Sequence, residues 1–488
     1  MNIAEAKLQL INTIKAYSVR DRFGNYLLPP QDQRPLFLMG PPGIGKTAIV
    51  RQVAEELGIG LVSYSITHHT RQSALGLPKI VHKVYEDEEY DVSEYTMSEI
   101  ISSVYDVMAD TGLKEGILFL DEVNCASETL TPSMLQFLQF KTFGKHKVPD
   151  GWVIVTAGNP VEYNRNAKEF DVVIWDRLKR IDIGADFDAW KSYSYKTGIH
   201  PAVITYLEAR RPNFYKIEET PSGKRFVTAR GWTDLSRIIS IYEGLGIDVD
   251  KALISQYIQH PETADDFASY YDLFNKYRSD YKIGEILAGT EDTVIQDRAK
   301  AAPFDEKLSL LGLLLDNVLA DIAEVMKTED IAAELVGLLR QVKEGADISE
   351  VIENEADMFY RFRRMGVLSA DARLKYETVL EFLKAHEAFT DFTSVKSDFD
   401  GLVSDMKQAA AEARGKLDNL FAFVSKVWGE GQEMVILVTE LTIGFYSSRF
   451  IAKYGCDAYY RNNDSLKLYE RKLEILKKGE KLWQQSTM

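Results

Sequence analysis

The chain has 488 residues, too many for one compact core, so two or three domains are expected. With 45% hydrophobic and 27% charged residues its composition is that of an ordinary globular protein, and a net charge of −16 excludes a broad nucleic-acid-binding surface while leaving room for a local basic element. Two cysteines, Cys125 and Cys456, exclude a disulfide framework and point to a reducing compartment; with no secretory leader and no bilayer span in view, a cytoplasmic protein without membrane contact is expected.

Residues 2–18 read as an amphipathic helix, followed by a polar, proline-containing lead-in over 21–35. From there to about residue 183, apolar strand-like runs alternate with helical patterns, the signature of an α/β domain built on a parallel sheet. Strands are expected at 36–39, 61–66, 116–120, 152–157 and 179–183. Directly after the first strand comes Gly40-Pro41-Pro42-Gly43-Ile44-Gly45-Lys46-Thr47, which fits the phosphate-binding pattern G-x-x-x-x-G-K-[ST]. Gly40 and Gly45 let the backbone curl so that successive N–H groups point at phosphate oxygens. Lys46 brings a charge to the β- and γ-phosphates, and the Thr47 hydroxyl is a ligand for Mg²⁺. A helical pattern then runs to Leu57 and stops at Gly58, a C-cap residue. The motif and its strand–loop–helix setting predict binding of a nucleoside triphosphate.

Between the second and third strands lies an insertion over 77–95, whose 79–85 segment alternates before an acidic run at 86–91 that reads as a solvated loop. The third strand, Ile117-Leu118-Phe119-Leu120, delivers Asp121 to the rim of the sheet, where it can hold Mg²⁺ opposite Thr47. Glu122 follows, able to polarise a water for attack on the γ-phosphorus. The fourth strand ends in Ala157-Gly158-Asn159-Pro160, which places the Asn159 amide beside the γ-phosphate, although Asn-Pro by itself is also an ordinary turn pair. A second candidate hairpin, 140–148, carries Lys141, Lys145, His146 and Lys147 around Phe143-Gly144; it suits an acidic or extended polypeptide, or nucleic acid, or is a solvated turn. His68 and His69 are adjacent and point to opposite faces of a strand, so no metal beyond Mg²⁺ is expected.

From residue 186 to about 289 the chain turns helical, with a loop over 212–224 and an aromatic run over 267–274 that reads as helix core. Beyond 292, helices are expected near 307–326, 331–342, 370–388, 399–428 and 465–482, with breaks near 345–347 and 429–432.

The strings GPPGIGKT, ILFLDE and VTAGNP, with Asp176-Arg177-Leu178-Lys179-Arg180, resemble an AAA+ ATPase. Asp121-Glu122-Val123-Asn124 and Ala157-Gly158-Asn159-Pro160 are closest to the MoxR and dynein-related (midasin-like) branch. Thr67-His68-His69-Thr70-Arg71-Gln72 followed by Gly76-Leu77-Pro78 is similar to that branch's pore-facing region. The resemblance covers roughly residues 20–290. It implies an AAA+ α/β domain over 1–185, a small helical lid over 186–290, and leaves an all-α region over 291–488 without a role. It also implies ATP and Mg²⁺ as cofactors, with Asn159 as sensor 1 and Arg230 as sensor 2. Arg177, with Arg180 as the alternative, is then the arginine finger reaching a neighbouring subunit. On this resemblance the insertion is the hairpin on the second helix that marks the clade, and the working form is a ring, a hexamer, that remodels or activates a protein. Members often act with a partner carrying a von Willebrand factor A domain. The chain departs from the family in having Cys125 where arginine is frequent and Leu178 where phenylalanine is usual. A nucleic-acid motor and a nucleotide-gated scaffold are the competing functions.

Overall fold

The computed structural model describes residues 1–68, 76–221, 223–388 and 392–464. They form two compact units: one of Met1–Ala189, Thr228–Arg230 and Ser349–Leu380, the other of Trp190–Val227, Gly231–Ile348 and the described residues from Glu381 onward. The expected segment at 70–72 and the helix expected at 465–482 lie outside the described residues.

The first unit is built on five parallel strands in the order β2–β5–β8–β1–β9: β1 (Leu36–Met39), β2 (Gly60–Ser65), β5 (Gly116–Asp121), β8 (Trp152–Gly158) and β9 (Lys179–Asp182). Both faces are covered, which is why Ile117–Leu120 and Val153–Val155 are unbroken apolar runs. The Trp152 indole sets one local rule. A Cβ on Gly116 or Gly60 would lie 2.7 or 2.8 Å from its ring, so only glycine fits at the start of β5 and β2. Phe37 packs edge-to-face on Phe170 and Trp175, which are tilted against each other, with centroids 5.2 to 5.6 Å apart, and the three fill the other end of the core.

Helix α1 (Ile3–Ser18) begins with a capping box between Asn2 and Glu5 and buries Ala6, Leu10, Ile11 and Ile14 on one face. Helix α2 (Lys46–Leu57) ends at Gly58 in the left-handed region, as the sequence suggests. Helix α3 (Glu99–Thr111), capped by Ser98, packs beside β2, and α4 (Thr131–Phe140) follows β5.

Two hairpins project from this framework. The insertion is an antiparallel ribbon, β3 (Pro78–Tyr85) paired with β4 (Glu88–Tyr95). Its acidic run is not a loop throughout: Glu86 and Asp87 form a two-residue turn with positive φ at both positions, and the remaining acids belong to β4. The second hairpin pairs β6 (Thr142–Phe143) with β7 (His146–Lys147) across Gly144. The first unit also takes back a piece of the C-terminal region. Ser369 donates to the Glu55 carboxylate on α2 through both its N–H and its hydroxyl, and Arg364 pairs with Asp110 on α3 at 2.8 Å.

In the second unit, helix Pro261–Asp280 turns Phe267, Tyr270, Tyr271 and Phe274 inward against Tyr206 and Trp232. That is the expected use of the aromatic run. The expected loop at 212–224 is instead largely a hairpin, β10 (Lys216–Thr220) paired with β11 (Gly223–Val227). The two helices expected at 307–326 and 331–342 are one, Phe304–Lys343. The polar stretch between them stays helical because Asp330 and Glu329 pair with Arg449 and Lys453 of helix Phe445–Tyr454. Helix Ile348–Met365 is an element the sequence pattern did not reveal. Helices Phe392–Trp428 and Gln432–Ile443 flank the anticipated break at Gly429. No single described helix is long and apolar enough to cross a membrane.

Candidate active site

The strand order brings the carboxyl ends of β1, β5 and β8 side by side, where ligands of open parallel sheets bind. From β1 the chain enters the 40–47 loop, with Gly43 and Gly45 at φ 76° and 100°; Gly45 is the N-cap of α2, so the loop's N–H groups lie at a helix N-terminus. A Cβ on Gly40 would meet the Ile183 carbonyl at 2.5 Å, so this turn is closed to larger residues.

Lys46 is buried, and its Nζ donates to Gly40 O at 2.7 Å, Pro41 O at 2.9 Å and Asn159 Oδ1 at 2.8 Å. Burial pushes its pKa down to about 8 and nearby Arg230 acts in the same direction; Asp121 and Glu122 oppose it. Thr47 Oγ1 donates to Asp121 Oδ2 at 2.9 Å. A hydroxyl and a carboxylate oxygen therefore meet at one point beside the loop. These are hard oxygen donors of the kind Mg²⁺ takes, and Mg²⁺ normally draws its other ligands from water and substrate phosphates. Among the described residues no group of three or more His, Cys, Asp or Glu could hold a metal. Thr47 and Asp121 thus fit a shared, nucleotide-dependent Mg²⁺ rather than a closed protein cage.

Glu122 sits just past the end of β5 in the left-handed region, with φ 56°, and its N–H donates to Asp121 Oδ1 at 3.0 Å. Its carboxylate accepts from Thr67 Oγ1 at 3.2 Å, and Thr67 Oγ1 lies 2.9 Å from Ser65 Oγ. Thr67 was noticed in the sequence only as part of a family-like string; its role against Glu122 depends on β2 and β5 being neighbours. Asn124 is a second residue without an assigned role. Its Nδ2 donates to Asn159 O at 2.8 Å, and a Cβ on Gly158 would lie 2.4 Å from its Oδ1. Buried Asn124 therefore locks the turn that presents Asn159 to Lys46. The sequence showed it only as a polar residue in the turn three positions past an apolar strand, and its target could not be read there. Neighbouring Cys125 has its thiol pKa raised by burial and then by Glu122 and Asp121, so it is not a reactive thiolate.

Arg230 reaches the loop through its backbone: its N–H donates to Gly43 O at 3.1 Å, and its side chain is exposed. The two arginines near β9 differ. Arg180 Nε donates to Asp182 Oδ1 at 2.8 Å and its guanidinium lies over the Trp175 ring, 4.6 Å from the centroid. The Arg177 side chain is exposed and has no partner among the described residues. Arg180 and Trp175 line a cavity of about 160 Å³ with Met39, Asn124, Pro160 and Glu162, on the same edge of the sheet.

The second hairpin is less basic in effect than its composition suggests. Lys141 is buried, turned onto Gln33 Oε1 at 3.3 Å; Lys145 pairs with Glu94 of the ribbon and Lys147 with Asp150. One lysine is therefore internal, while the other two stay exposed and share surface ion pairs.

A parallel sheet that feeds its first strand through a glycine-rich loop into a helix, with Lys46, Thr47, Asp121 and Asn159 converging on that loop, defines a P-loop nucleotide-binding domain. Residues 36–173 match the family model described as ATPase family associated with various cellular activities (AAA), and this segment is an AAA ATPase domain. No curated protein matches the chain. Among solved structures it is similar to NtrX from Brucella abortus, determined in complex with ADP, at 15% identity and a TM-score of 0.28, over 66% of this chain and 65% of that one. The chain thus spans about 65% of the length of NtrX, and the likeness is too loose to bear on the fold or the function.

Proposed function

We propose that the chain is a Mg²⁺-dependent AAA+ ATPase of MoxR type that works as a homo-oligomeric ring, a hexamer, and remodels or activates a protein partner. The observation that carries this reading is the linked set Lys46–Asn159 and Thr47–Asp121, with Glu122 adjoining it. In this reading the 40–47 loop and Lys46 hold the phosphates, and Thr47 and Asp121 hold Mg²⁺, which when bound neutralises charge on the β- and γ-phosphates. Glu122 takes a proton from the attacking water and Asn159 orients that water. Arg230, whose backbone is held on Gly43 of the loop, contacts the γ-phosphate as sensor 2. Arg177 of a neighbouring copy supplies the finger; its side chain has no partner among the described residues, which favours it over Arg180. A partner with a von Willebrand factor A domain is what the MoxR resemblance suggests. The surface pairing of Lys145 and Lys147 with carboxylates, together with the net charge of −16, counts against a nucleic-acid motor.

The test is Glu122→Gln. The variant should bind ATP as the wild type does, lose turnover by about 10²- to 10⁴-fold, and accumulate as a ring that retains its protein partner in ATP. Undiminished hydrolysis would remove Glu122 from the chemistry, and a monomer at all concentrations with ATP would remove the ring.

A further inference from the structure

A buried chain of charges in the second unit ties the lid to the C-terminal helices. Lys191, on helix Phe187–Thr197, donates to Glu208 Oε2 at 2.5 Å and also to Glu440 Oε1. The second Glu440 oxygen accepts from the Tyr195 hydroxyl, so both oxygens are used. Arg211 closes the far end of the chain on Glu208 Oε1 at 2.6 Å. The side chains of Lys191 and Glu440 are only 5% and 6% exposed. Glu440 lies on the most apolar helix of the region, Gln432–Ile443, among buried Met434, Leu437, Val438 and Leu441. A carboxylate there is strongly disfavoured unless it is met by a cation and a donor, and among the described residues Lys191 and Tyr195 of the lid supply both. The helix can therefore settle in one register and on one surface.

Further contacts act in parallel. Tyr270 joins Thr205 Oγ1 at 2.8 Å to Ser309 Oγ at 3.0 Å inside the unit, and Thr205 fills the space beside Gly312, where a Cβ would meet its Cγ2 at 2.1 Å. Helix Phe304–Lys343 therefore lies directly against Pro201–Ala209. At the other side Asn419 donates to Leu287 O at 2.8 Å and Trp428 to Ala299 O at 2.9 Å.

We infer that residues 190–221, 231–348 and 432–454 behave as one rigid body, with the Lys191–Glu440 pair as the clamp, so that any movement nucleotide imposes on the lid appears undiminished at the C-terminal helices. This gives helices Phe304–Lys343, Gln432–Ile443 and Phe445–Tyr454 a role as the output arm of the ATPase, and it rests on the lid reading above. The clamp residues are positioning residues and touch no substrate.

The experiment places spin labels at Ile241, exposed on helix Ala229–Leu245, and Val435, exposed on helix Gln432–Ile443, in the full chain with Cys125 and Cys456 changed to Ser. Pulsed dipolar spectroscopy should give one narrow distance that is the same without nucleotide and with a non-hydrolysable ATP analogue. A distance that moves with nucleotide overturns the rigid body, and does so whether or not Glu122 is the hydrolytic residue. In a second measurement, Glu440→Gln should raise hydrogen exchange at least tenfold over 432–454, and Lys191→Met should do the same, while helix Ala229–Leu245 stays protected. Native exchange over 432–454 in both variants would overturn the clamp. If either variant loses protection across the whole unit, the clamp is again overturned as a local device, and the labelled wild-type protein still decides the rigid body.

Discussion

The Thr67 hydroxyl donates to the Glu122 carboxylate at 3.2 Å, across the junction of β2 and β5. It engages one oxygen of the side chain proposed to activate water, while the Glu122 backbone is held in the left-handed region. With that hydrogen bond removed, the carboxylate is expected to be free to turn toward the phosphate loop. Thr67→Ala is expected to raise basal ATP turnover by a few-fold at unchanged KM, and Thr67→Ser to behave as wild type. A tenfold or greater loss of kcat in Thr67→Ala would show that the hydroxyl positions Glu122 for catalysis and does not hold it back.

Arg177 and Arg180 should separate cleanly. Arg177→Ala is expected to reduce steady-state hydrolysis by about 10³-fold or more, as removal of an arginine finger does, with nucleotide affinity kept within a few-fold. Mixing Arg177→Ala with Glu122→Gln subunits should restore part of the activity, because each brings what the other lacks. Arg180→Ala removes the Asp182 bond and the Trp175 stack, and should cost mainly stability, of about 1 kcal/mol. Dead mixtures would mean that the finger lies elsewhere or that the ring is wrong, and a dead Arg180→Ala with an active Arg177→Ala would reverse the assignment.

Asn124→Ala tests the support beneath Asn159. The substitution leaves the Asn159 carbonyl without its donor in a buried setting, a loss of about 1–3 kcal/mol of stability, and loosens the turn after β8. Turnover should fall at least tenfold while ATP affinity changes little. An affinity loss as large as the turnover loss would mean that Asn124 supports the loop as a whole.

Lys141 makes stability depend on pH. Burial lowers its pKa from 10.5 to about 8 in the folded chain, so between pH 8 and 10.5 the unfolded state binds more protons and stability rises with pH. From pH 7.5 to 9.5 this amounts to about 2 kcal/mol in favour of the wild type. Lys141→Met lacks that slope. The gap in melting temperature between the two proteins should shift toward the wild type as the pH is raised; a constant gap would show that Lys141 titrates as an exposed lysine.

Where local chemistry sufficed, the sequence alone was enough. Gly43 and Gly45 need positive φ, Lys46 and Thr47 stand at fixed spacing from them, and the unbroken apolar runs before Asp121 and Asn159, alternating with helical patterns, suit parallel strands buried on both faces. These determined the P-loop sheet and the residues that meet at its rim. The sequence pattern failed where a distant partner changes what a residue can be. The polar stretch at 327–330 looked like a helix end until Arg449 and Lys453 neutralised it, and Lys141 looked like surface until Gln33 drew it inside. Tertiary structure alone decided that Thr67 faces Glu122, that Arg180 is engaged while Arg177 is not, and that Glu440 answers to Lys191. Each is a contact between segments far apart in the chain, set by strand order and helix packing, and no local periodicity records it.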